Sequence, residues 1–375
     1  MVDVNEKIWL SSPHMGDMEQ VYVKEAFDTN WVAPLGPNIN AFEDAIAHFL
    51  GENVKVAALS SGTAALHLGL KLLGVGSGDV VLCQSFTFSA SANPILYLAA
   101  TPIFVDSETD TWNLSPELLE AAIKDSIKQG KKPKAIIAVH LYGMPYNIKA
   151  VSAVADTYGI PILEDSAEAL GSAYMGQHCG TFGAIGVLSF NGNKIITTSG
   201  GGALVAKNPH HIKNAIFLAS QARDDAPHYQ HSHVGYNYRM SNVLAGVGRG
   251  QMLVLEDRVT ARRRNYERYH TELGKLPGIE FLAEPTGYFS NRWLSCVLTP
   301  SYKIREQLRL ALLEQNIESR PLWKPLHLQP IFEKFPKFTD GTSEDLFNKG
   351  LCLPSGSNLT QDDLSSVIKI IKSTL

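Results

Sequence analysis

The chain has 375 residues, of which 45% are hydrophobic and 19% charged, and its formal net charge is -4 at pH 7. This composition is that of a globular protein, and the charge gives no bulk attraction to nucleic acid or to an anionic membrane. No apolar run reaches the ~18 residues of a membrane-spanning helix, and no signal-peptide pattern is found at the N-terminus. The four cysteines are widely spaced, which is typical of a reduced, cytoplasmic protein.

The first half of the chain alternates between strand patterns and helix patterns. Helices are predicted over 15–29 and 39–50, with an apolar Pro/Gly loop over 31–37 between them. Strands are then predicted at 54–59, 79–84, 102–106, 134–139 and 161–164, separated by helices at 61–73, 89–99, 116–128 and 148–158. Apolar strands that alternate with helices indicate a mostly parallel sheet covered on both faces. In such a sheet the ligand lies beyond the C-terminal ends of the strands.

The second half of the chain changes character after about residue 250. Two strands, 186–190 and 202–205, are too close to enclose a helix and are expected to pair through a turn. A helix over 207–221, a His- and Tyr-rich loop over 224–239 and one long helix over 241–273 follow. Short strands (281–282 and 292–298), a helix (304–315), a Pro- and aromatic-rich loop (320–335) and a last helix (362–373) come after them. We therefore predict a large α/β domain over residues 1–250 and a small α+β domain over 251–375.

Hydroxyl groups and a glycine follow the first strand of the alternating pattern, at Ser61, Gly62 and Thr63. Free N–H groups at a helix N-terminus attract anions, and phosphate is the commonest of these. A simple helix cap is the alternative interpretation. The segment is neither a Walker loop nor a dinucleotide fingerprint, because the glycine spacing and the Gly-Lys pair of those motifs are missing.

Two other strand ends carry groups that suit a flat, protonated ring. Aromatic residues follow the strand that ends at 84, and an aromatic there can stack on a planar ligand, although core packing is the better interpretation for Phe88 alone. Glu164, Asp165 and Glu168 end another apolar strand, where buried acids are costly without partners. One of them can serve as the counter-charge of a ring nitrogen, and a solvated strand end is the alternative.

Lys194 lies between an apolar segment, 184–188, and three glycines at 200–202. A desolvated, neutral lysine can form a Schiff base with a carbonyl group. Glycine lets the backbone approach a ligand closely because it has no Cβ. The alternative is a loop lysine before a Gly-rich turn.

Three histidines, His228, His231 and His233, raise the question of a metal site. Their polar loop offers no cysteine and no acidic ligand at helical spacing. We therefore favour a solvated loop or a subunit contact over zinc, and we predict no metal.

An anion site, a stacking aromatic, a strand-end Asp and a Gly-flanked Lys follow one another along this chain. Pyridoxal phosphate needs this set, because its aldehyde condenses with a lysine, its phosphate binds amides and hydroxyls, and its pyridinium N–H pairs with a carboxylate. The chain resembles, over nearly its whole length, the DegT/DnrJ/EryC1/StrS family of pyridoxal phosphate-dependent nucleotide-sugar aminotransferases. The motifs that carry the resemblance are S-G-T-A-A-L at 61–66, E-D-S-A-E-A-L-G at 164–171, S-F-N-G-N-K at 189–194, G-G-G at 200–202 and G-Y-N-Y-R-M at 235–240.

The resemblance implies an aspartate aminotransferase-like fold, fold type I, and a homodimer with active sites at the subunit interface. Lys194 resembles the Schiff-base lysine and proton carrier, and Asp165 resembles the partner of the pyridine nitrogen. The further cofactor contacts that it implies are Ser61, Gly62, Thr63 and Ser189 at the phosphate, Phe86 on the ring, Glu168 beside the 3-oxygen, and Asn237 from the other subunit at the phosphate.

Within the family, the segment 320–327 resembles the substrate loop of 4-aminotransferases that act on UDP-4-keto-6-deoxy-N-acetylglucosamine in the UDP-N-acetylbacillosamine pathway. The segments 12–15 and 31–36 are similar to that subgroup as well. The substrate contacts that this implies are His14, Trp31, Lys194, Arg239, Trp323, Lys324 and His327. The implied amino donor is L-glutamate, and the product is a 4-amino sugar for a surface glycan or for protein glycosylation. An interface loop is the alternative interpretation of 320–327.

Other functions fit the sequence less well. A dTDP- or GDP-linked keto sugar, aminated at position 3 or 4, is the nearest alternative substrate. The sugar 3-dehydratases of the family replace the lysine with histidine, whereas this chain keeps Lys194. A non-catalytic regulator that binds pyridoxal phosphate would need a basic DNA-binding appendage, which neither end shows. A nicotinamide oxidoreductase would need the missing glycine fingerprint.

Overall fold

The computed structural model describes residues 6–375. The strands in chain order are β1 (Lys55–Leu59), β2 (Val80–Gln84), β3 (Thr101–Val105), β4 (Ala135–Val139), β5 (Ile162–Asp165), β6 (Ala173–Tyr174), β7 (Gln177–His178), β8 (Ile185–Ser189), β9 (Gly202–Ala206), β10 (Glu280–Phe281), β11 (Tyr288–Phe289), β12 (Ser295–Leu298), β13 (Arg320–Pro321), β14 (Lys337–Phe338) and β15 (Gly350–Leu353). The α-helices are α1 (Glu19–Asp28), α2 (Pro37–Leu50), α3 (Gly62–Leu72), α4 (Asn93–Tyr97), α5 (Pro116–Lys128), α6 (Ile148–Tyr158), α7 (Pro209–Ala219), α8 (Asn242–Met252), α9 (Leu255–Leu273), α10 (Tyr302–Glu314), α11 (Thr342–Lys349) and α12 (Gln361–Thr374).

Eight strands form one sheet in the order β1-β9-β8-β5-β4-β2-β3-β14. The pairs from β8 to β14 are parallel, whereas β9 is antiparallel to both β1 and β8. Side chains of α3, α4 and α7 pack with strand residues in one apolar cluster, those of α5 and α6 in another, and those of α2 and α8 in a third. The predicted mostly parallel sheet with helices on both faces is therefore confirmed, and the paired strands β8 and β9 lie where they were expected.

A second, antiparallel sheet has the order β10-β12-β15-β13 and is covered by α9, α10 and α12. A small three-stranded sheet, β11-β6-β7, joins a segment from the middle of the chain to one from the C-terminal third. The strand β14 follows β13 of the four-stranded sheet in the sequence, but it pairs in parallel with β3 at the edge of the eight-stranded sheet. The sequence pattern did not indicate this return, which crosses the predicted domain boundary near residue 250.

Two predicted helices differ from the structure. The helix expected over 241–273 is split into α8 and α9. The helix α8 packs on α1 and α2, whereas α9 packs on the four-stranded sheet, so tertiary packing overrides helix propensity. The helix expected over 89–99 is a 3₁₀ turn followed by the short helix α4. Pro94 lies in the first turn of α4, where its missing N–H is tolerated, whereas it would break a helix that began at residue 89.

No helix within residues 6–375 combines the length and the apolar character needed to cross a membrane. The four cysteines are buried free thiols. Two of them, Cys296 and Cys352, are opposite each other on β12 and β15 with their Sγ atoms 3.8 Å apart.

Candidate active site

A cavity of about 310 Å³ lies beyond the C-terminal ends of the parallel strands, at the edge of the sheet that the sequence predicted. The sheet brings distant segments of the chain together there. The predicted residues that line the cavity are Ser61, Gly62, Thr63, Asp165, Glu168, Ser189, Lys194 and Trp323.

The start of α3 forms an anion site in this cavity. Ser61 caps the helix, since its Oγ accepts a hydrogen bond of 3.0 Å from the N–H of Ala64. The first turn of a helix leaves further N–H groups without helical acceptors, and Gly62 and Thr63 provide them beside the Ser189 hydroxyl. A Cβ at Gly62 would lie 3.0 Å from the Cβ of Ser189, so glycine permits this close approach. These amides, the positive helix end and the hydroxyl suit a phosphate group.

Asp165 is held in place by hydrogen bonds at the end of β5. It is 5% exposed, and its Oδ2 accepts a hydrogen bond of 2.7 Å from the hydroxyl of Ser91. The Ser91 Oγ is in turn 2.9 Å from the Oγ1 of Thr87, and the N–H of Ala167 donates to the Oδ1 of Asp165 at 3.2 Å. A carboxylate with fixed donors keeps one orientation and remains available to a cationic ring nitrogen in the cavity.

Lys194 lies in the connection between β8 and β9, and its side chain is 13% exposed. Its Nζ is 4.3 Å from the centre of the Trp293 ring and 3.6 Å from the Oε1 of Glu168. The turn that carries it is fixed from outside, because the Trp293 Nε1 donates to the carbonyl oxygen of Asn193 at 2.7 Å and the Ser11 hydroxyl donates to the same oxygen at 2.8 Å. The lysine therefore has a desolvated amine on a rigid turn.

Glu168 is the second carboxylate of the cavity. Its Oε2 accepts the backbone N–H of Tyr142 at 2.7 Å, and its other oxygen faces Lys194. Burial raises the pKa of the Glu168 carboxyl, whereas the positive charge of Lys194 and the Tyr142 N–H act in the opposite direction. The negative charge of Asp165 raises it further.

The aromatic residue at the cavity is Phe88 and not Phe86. Phe86 is fully buried in an apolar cluster with Tyr142 and Trp293, so its ring does not reach the cavity and the predicted stacking role is wrong. Phe88 lines the cavity, is 52% exposed and contacts the Trp323 ring at a centroid distance of 5.3 Å. The backbone beyond Gln84 is irregular, so the two side chains take positions that a strand pattern cannot assign.

The predicted substrate residues are not all at this cavity. Trp323 lines it, but His327 is buried, with its Nδ1 2.7 Å from the Ser85 hydroxyl and its Nε2 3.1 Å from Glu344. His327 therefore fixes its loop to β2, and its predicted contact with substrate is wrong. Lys324 does not line the cavity, and neither does His14, whose Nδ1 is 3.0 Å from the Ser357 hydroxyl.

Trp31, Asn237 and Arg239 line a separate groove of about 810 Å³ beside the loop 31–37. Trp31 is 41% exposed there, whereas the Arg239 guanidinium forms an ion pair with Glu43 and donates to the carbonyl oxygen of Ala58. Arg239 is thus bound by groups of the same chain, and Trp31 and Asn237 do not line the cavity that contains Lys194.

Several residues that line the cavity or hold its carboxylates in place were not indicated by any sequence pattern. Ser91 lies beyond the motif that follows β2, and Tyr142 is in a 3₁₀ turn after β4 with φ of 53°. Trp293 lies just before β12 in the C-terminal third of the chain, more than a hundred residues after Asp165 and Glu168. Only the fold shows that the Ser91 hydroxyl meets Asp165, the Tyr142 N–H meets Glu168 and the Trp293 ring meets Lys194.

The described residues contain no group of three or more His, Cys, Asp or Glu that could hold a metal ion. Within the histidine loop, the Nδ1 of His231 is 2.9 Å from the carbonyl oxygen of Gln221. The Nδ1 of His233 is 2.9 Å from the hydroxyl of Ser232.

The cavity fits pyridoxal phosphate. It offers amides and a hydroxyl for the phosphate, a buried oriented carboxylate for the ring nitrogen, an exposed aromatic ring for one face and a desolvated lysine for the aldehyde. All four groups lie in one space of about 310 Å³.

Comparison with known proteins agrees with this geometry. Residues 13–372 match the DegT/DnrJ/EryC1/StrS aminotransferase family. EpsN of Bacillus subtilis (strain 168), named as a pyridoxal phosphate-dependent aminotransferase, is 51% identical over 372 residues, which cover 98% of this chain and 96% of that protein. The GDP-perosamine synthase of Escherichia coli O157:H7 is 36% identical over 361 residues, with 96% of both chains covered.

Solved structures show the same fold. A DegT DnrJ EryC1 StrS aminotransferase from Brucella abortus has a TM-score of 0.89 and 30% identity, with 95% of each chain covered. The sugar aminotransferase Spr1654 of Streptococcus pneumoniae, solved in a PLP form, has a TM-score of 0.88 and 26% identity, with 99% of this chain and all of that chain covered. The chain therefore belongs to the DegT/DnrJ/EryC1/StrS aminotransferase family, and it is a pyridoxal phosphate-dependent enzyme of fold type I.

Proposed function

We propose that this enzyme transfers the amino group of L-glutamate to C4 of a nucleotide-linked 4-keto-6-deoxy sugar, UDP-4-keto-6-deoxy-N-acetylglucosamine, on a route to a surface glycan or glycoprotein. The observation that carries the aminotransferase chemistry is the meeting of Lys194, Asp165 and the α3 anion site in one cavity. The sugar assignment rests on the similarity of the loop 320–327 to one subgroup of the family. Trp323 is the residue of that loop that lines the cavity.

A GDP-linked sugar is the second candidate. Relatives from three organisms that share 33% to 36% identity with this chain are named GDP-perosamine synthase. This candidate keeps the amino transfer and replaces the UDP-linked keto sugar by a GDP-linked one.

The protein residues divide the work of holding the cofactor. The amides of Gly62 and Thr63 with the hydroxyls of Ser61 and Ser189 would bind its phosphate, and Asp165 would pair with its ring nitrogen. Phe88 would cover one face of the ring. When bound, the cofactor supplies an aldehyde for the amine and a ring that accepts electrons from the substrate carbon.

Lys194 would then serve as the proton carrier. Its amine would hold the cofactor and would be free once glutamate is bound in its place. The free amine would take the proton from Cα of glutamate in the first half-reaction and would give a proton to C4 of the sugar in the second. Because its turn is fixed by Trp293 and Ser11, the amine can return to the same place in both directions.

A homodimer would complete the site. The groove of Trp31 and Asn237 is exposed and apolar around the indole, with Val32 and Leu35 also exposed. We expect this surface to meet the cavity of a second copy, with Asn237 at the cofactor phosphate and Trp31 near the nucleotide.

The substrate is tested by single-turnover and steady-state assays with purified enzyme, L-glutamate and 4-keto-6-deoxy sugars linked to UDP, dTDP or GDP. Formation of 2-oxoglutarate and a 4-amino sugar with the UDP substrate alone supports the assignment. Turnover with the GDP sugar and not with the UDP sugar would replace it by the second candidate.

The dimer is tested by mixing two inactive variants, Lys194→Ala and Asn237→Ala, under conditions that exchange subunits. If Asn237 acts across the interface, one site of each mixed dimer has both native residues, so activity returns. If Asn237 acts within its own subunit, no site in the mixture is native and activity stays absent. The Asn237→Ala protein alone and the Lys194→Ala protein alone are the controls.

A further inference from the structure

Glu168 and Lys194 form a close pair of ionisable groups inside the cavity. The Oε1 of Glu168 and the Nζ of Lys194 are 3.6 Å apart, and their side chains are only 5% and 13% exposed. The other oxygen of Glu168 is fixed by the N–H of Tyr142. The carboxyl group therefore cannot turn away from the amine without losing a hydrogen bond to a buried donor.

The chemistry of Lys194 requires that it lose a proton. Only the neutral amine attacks an aldehyde, and the carboxylate oxygen of Glu168 lies 3.6 Å from the Lys194 Nζ. Water has little access to a side chain that is 13% exposed. The proton therefore needs an acceptor inside the cavity.

The other groups that face Glu168 and Lys194 do not suit this task. Asp165 is bound to Ser91 and to the Ala167 N–H, and its carboxylate is needed as an anion at the ring nitrogen. Burial raises the pKa of Tyr142 and of Cys296 well above their usual values, so both are neutral and have no place for a proton.

We propose that Glu168 is the acid–base partner of Lys194, and that the two groups share one proton within the cavity. The proton moves from the Lys194 ammonium to the Glu168 carboxylate, which leaves a neutral amine and a carboxylic acid. The amine then condenses with the aldehyde, forming the C=N bond and releasing one water molecule. The carboxylic acid keeps this proton when the lysine is set free, so the released amine is neutral and can act as a base.

The electrostatics favour this exchange. Burial makes the carboxylate of Glu168 more basic than usual by raising its pKa, and the charge of Lys194 is the largest influence that lowers it again. Once the lysine loses its positive charge, that influence disappears. The carboxyl then retains the proton, because a buried neutral pair avoids the desolvation of two charges.

This role rests on the use of pyridoxal phosphate, as the proposed function does. It goes beyond that function because it is independent of which sugar is bound. It also does not require the partner subunit, since both groups belong to one chain. It is tested without any sugar substrate.

The first experiment follows the appearance of the visible absorbance when the apo-protein is mixed with saturating pyridoxal phosphate, as a function of pH. A shared proton keeps the fraction of neutral amine constant between the two titrations of the pair, so the rate constant has a plateau. In Glu168→Gln the proton must go to solvent, and the rate constant should rise about tenfold per pH unit over the same range. The variant keeps an oxygen for the Tyr142 N–H.

A matched control is Glu120→Gln, which removes the carboxyl of an exposed Glu–Lys pair, with Lys124 3.0 Å away, on α5 outside the cavity. It should keep the plateau of the native protein. If the native protein and Glu168→Gln show the same pH dependence, Glu168 does not take the proton and the proposal is overturned.

The second experiment reads the carboxyl group directly. Infrared spectra of Lys194→Met, compared with those of Lys194→Met/Glu168→Gln, isolate the carbonyl stretch of protonated Glu168. The corresponding difference between the native apo-protein and Glu168→Gln gives the same band in the presence of Lys194. We expect the band to persist to a higher pH in Lys194→Met than in the native apo-protein. An equal or lower titration midpoint in Lys194→Met would show that the two groups are not coupled, and it would reject the proposal even if both proteins bind cofactor poorly.

Discussion

Two phenylalanines that are two residues apart should respond to truncation in opposite ways. Phe86 is fully buried and its ring meets that of Tyr142 edge to face at 6.4 Å, so Phe86→Ala leaves a cavity in a packed cluster. Buried Phe→Ala changes cost about 3–5 kcal/mol of unfolding free energy. Phe88 is 52% exposed, so Phe88→Ala should cost about 1 kcal/mol or less in stability.

Cofactor affinity should show the reverse pattern. Stacking of an aromatic ring adds about 0.5–1.5 kcal/mol beyond buried area, which corresponds to a weakening of the dissociation constant by roughly 2- to 10-fold. Phe88→Ala should show at least this loss when apo-protein is titrated with pyridoxal phosphate. Phe86→Ala, studied at a temperature where it is folded, should bind with nearly native affinity.

The assay pair is urea unfolding followed by circular dichroism, and absorbance titration with the cofactor. Phe88→Leu serves as a control that keeps apolar volume without a ring. If Phe86→Ala loses cofactor affinity while its unfolding free energy is unchanged, the assignment of the two rings is wrong. The same holds if Phe88→Ala unfolds cooperatively at much lower urea and still binds the cofactor normally.

Three further predictions concern the carboxylates. Asp165→Asn should lower turnover strongly while the circular dichroism spectrum stays native. Ser91→Ala should lower turnover less, because this change removes one hydrogen bond to a charged group, worth about 1.5–3 kcal/mol. Equal turnover of Asp165→Asn and the native enzyme would contradict the role of Asp165. Glu164→Gln should lower the unfolding free energy by about 1–3 kcal/mol, since the buried Glu164 side chain accepts N–H groups of the loop 180–183 and lies 2.8 Å from the His140 Nε2; an unchanged urea midpoint would contradict this. Although burial acts to raise it, hydrogen bonds chiefly from Arg263 hold the pKa of Glu284 below its usual value, so its stabilisation should be complete above about pH 5 and decline as pH falls below about 4.3; Glu284→Gln should remove this acid-side loss, and identical pH profiles of unfolding would count against it.

The sequence was sufficient for the parts of the site that lie at regular positions. Asp165 ends β5, and Gly62 and Lys194 lie in the segments that follow β1 and β8. The ends of these strands meet at one edge of the sheet, so strand prediction places the three residues together. Motif resemblance added their roles. Strand patterns and motif resemblance together therefore predict the anion site, the acid and the lysine from sequence.

The remaining residues depend on tertiary structure. The choice between Phe86 and Phe88 was wrong because the chain after β2 is irregular and has no alternation of side chains. The sequence predicts that His327 contacts substrate, yet both of its ring nitrogens are within hydrogen-bond distance of other side chains, Ser85 and Glu344. Ser85 follows β2 and Glu344 lies on α11, so neither contact is visible in the sequence. Trp293 precedes β12 of the four-stranded sheet, and it reaches Lys194 because this part of the chain packs against residues that follow β2 and β4 of the eight-stranded sheet.

The position of β14 has a consequence for how the protein is made. The large sheet gains its last strand from Lys337 and Phe338, which pair with Phe104 and Val105 more than two hundred residues earlier. During synthesis the edge of β3 is complete long before the segment that covers it leaves the ribosome, and an uncovered edge is a template for pairing with other chains. A nascent chain that ends before residue 337 should therefore need a chaperone at this edge, and the separation of β3 and β14 along the chain sets the time for which the edge is unprotected.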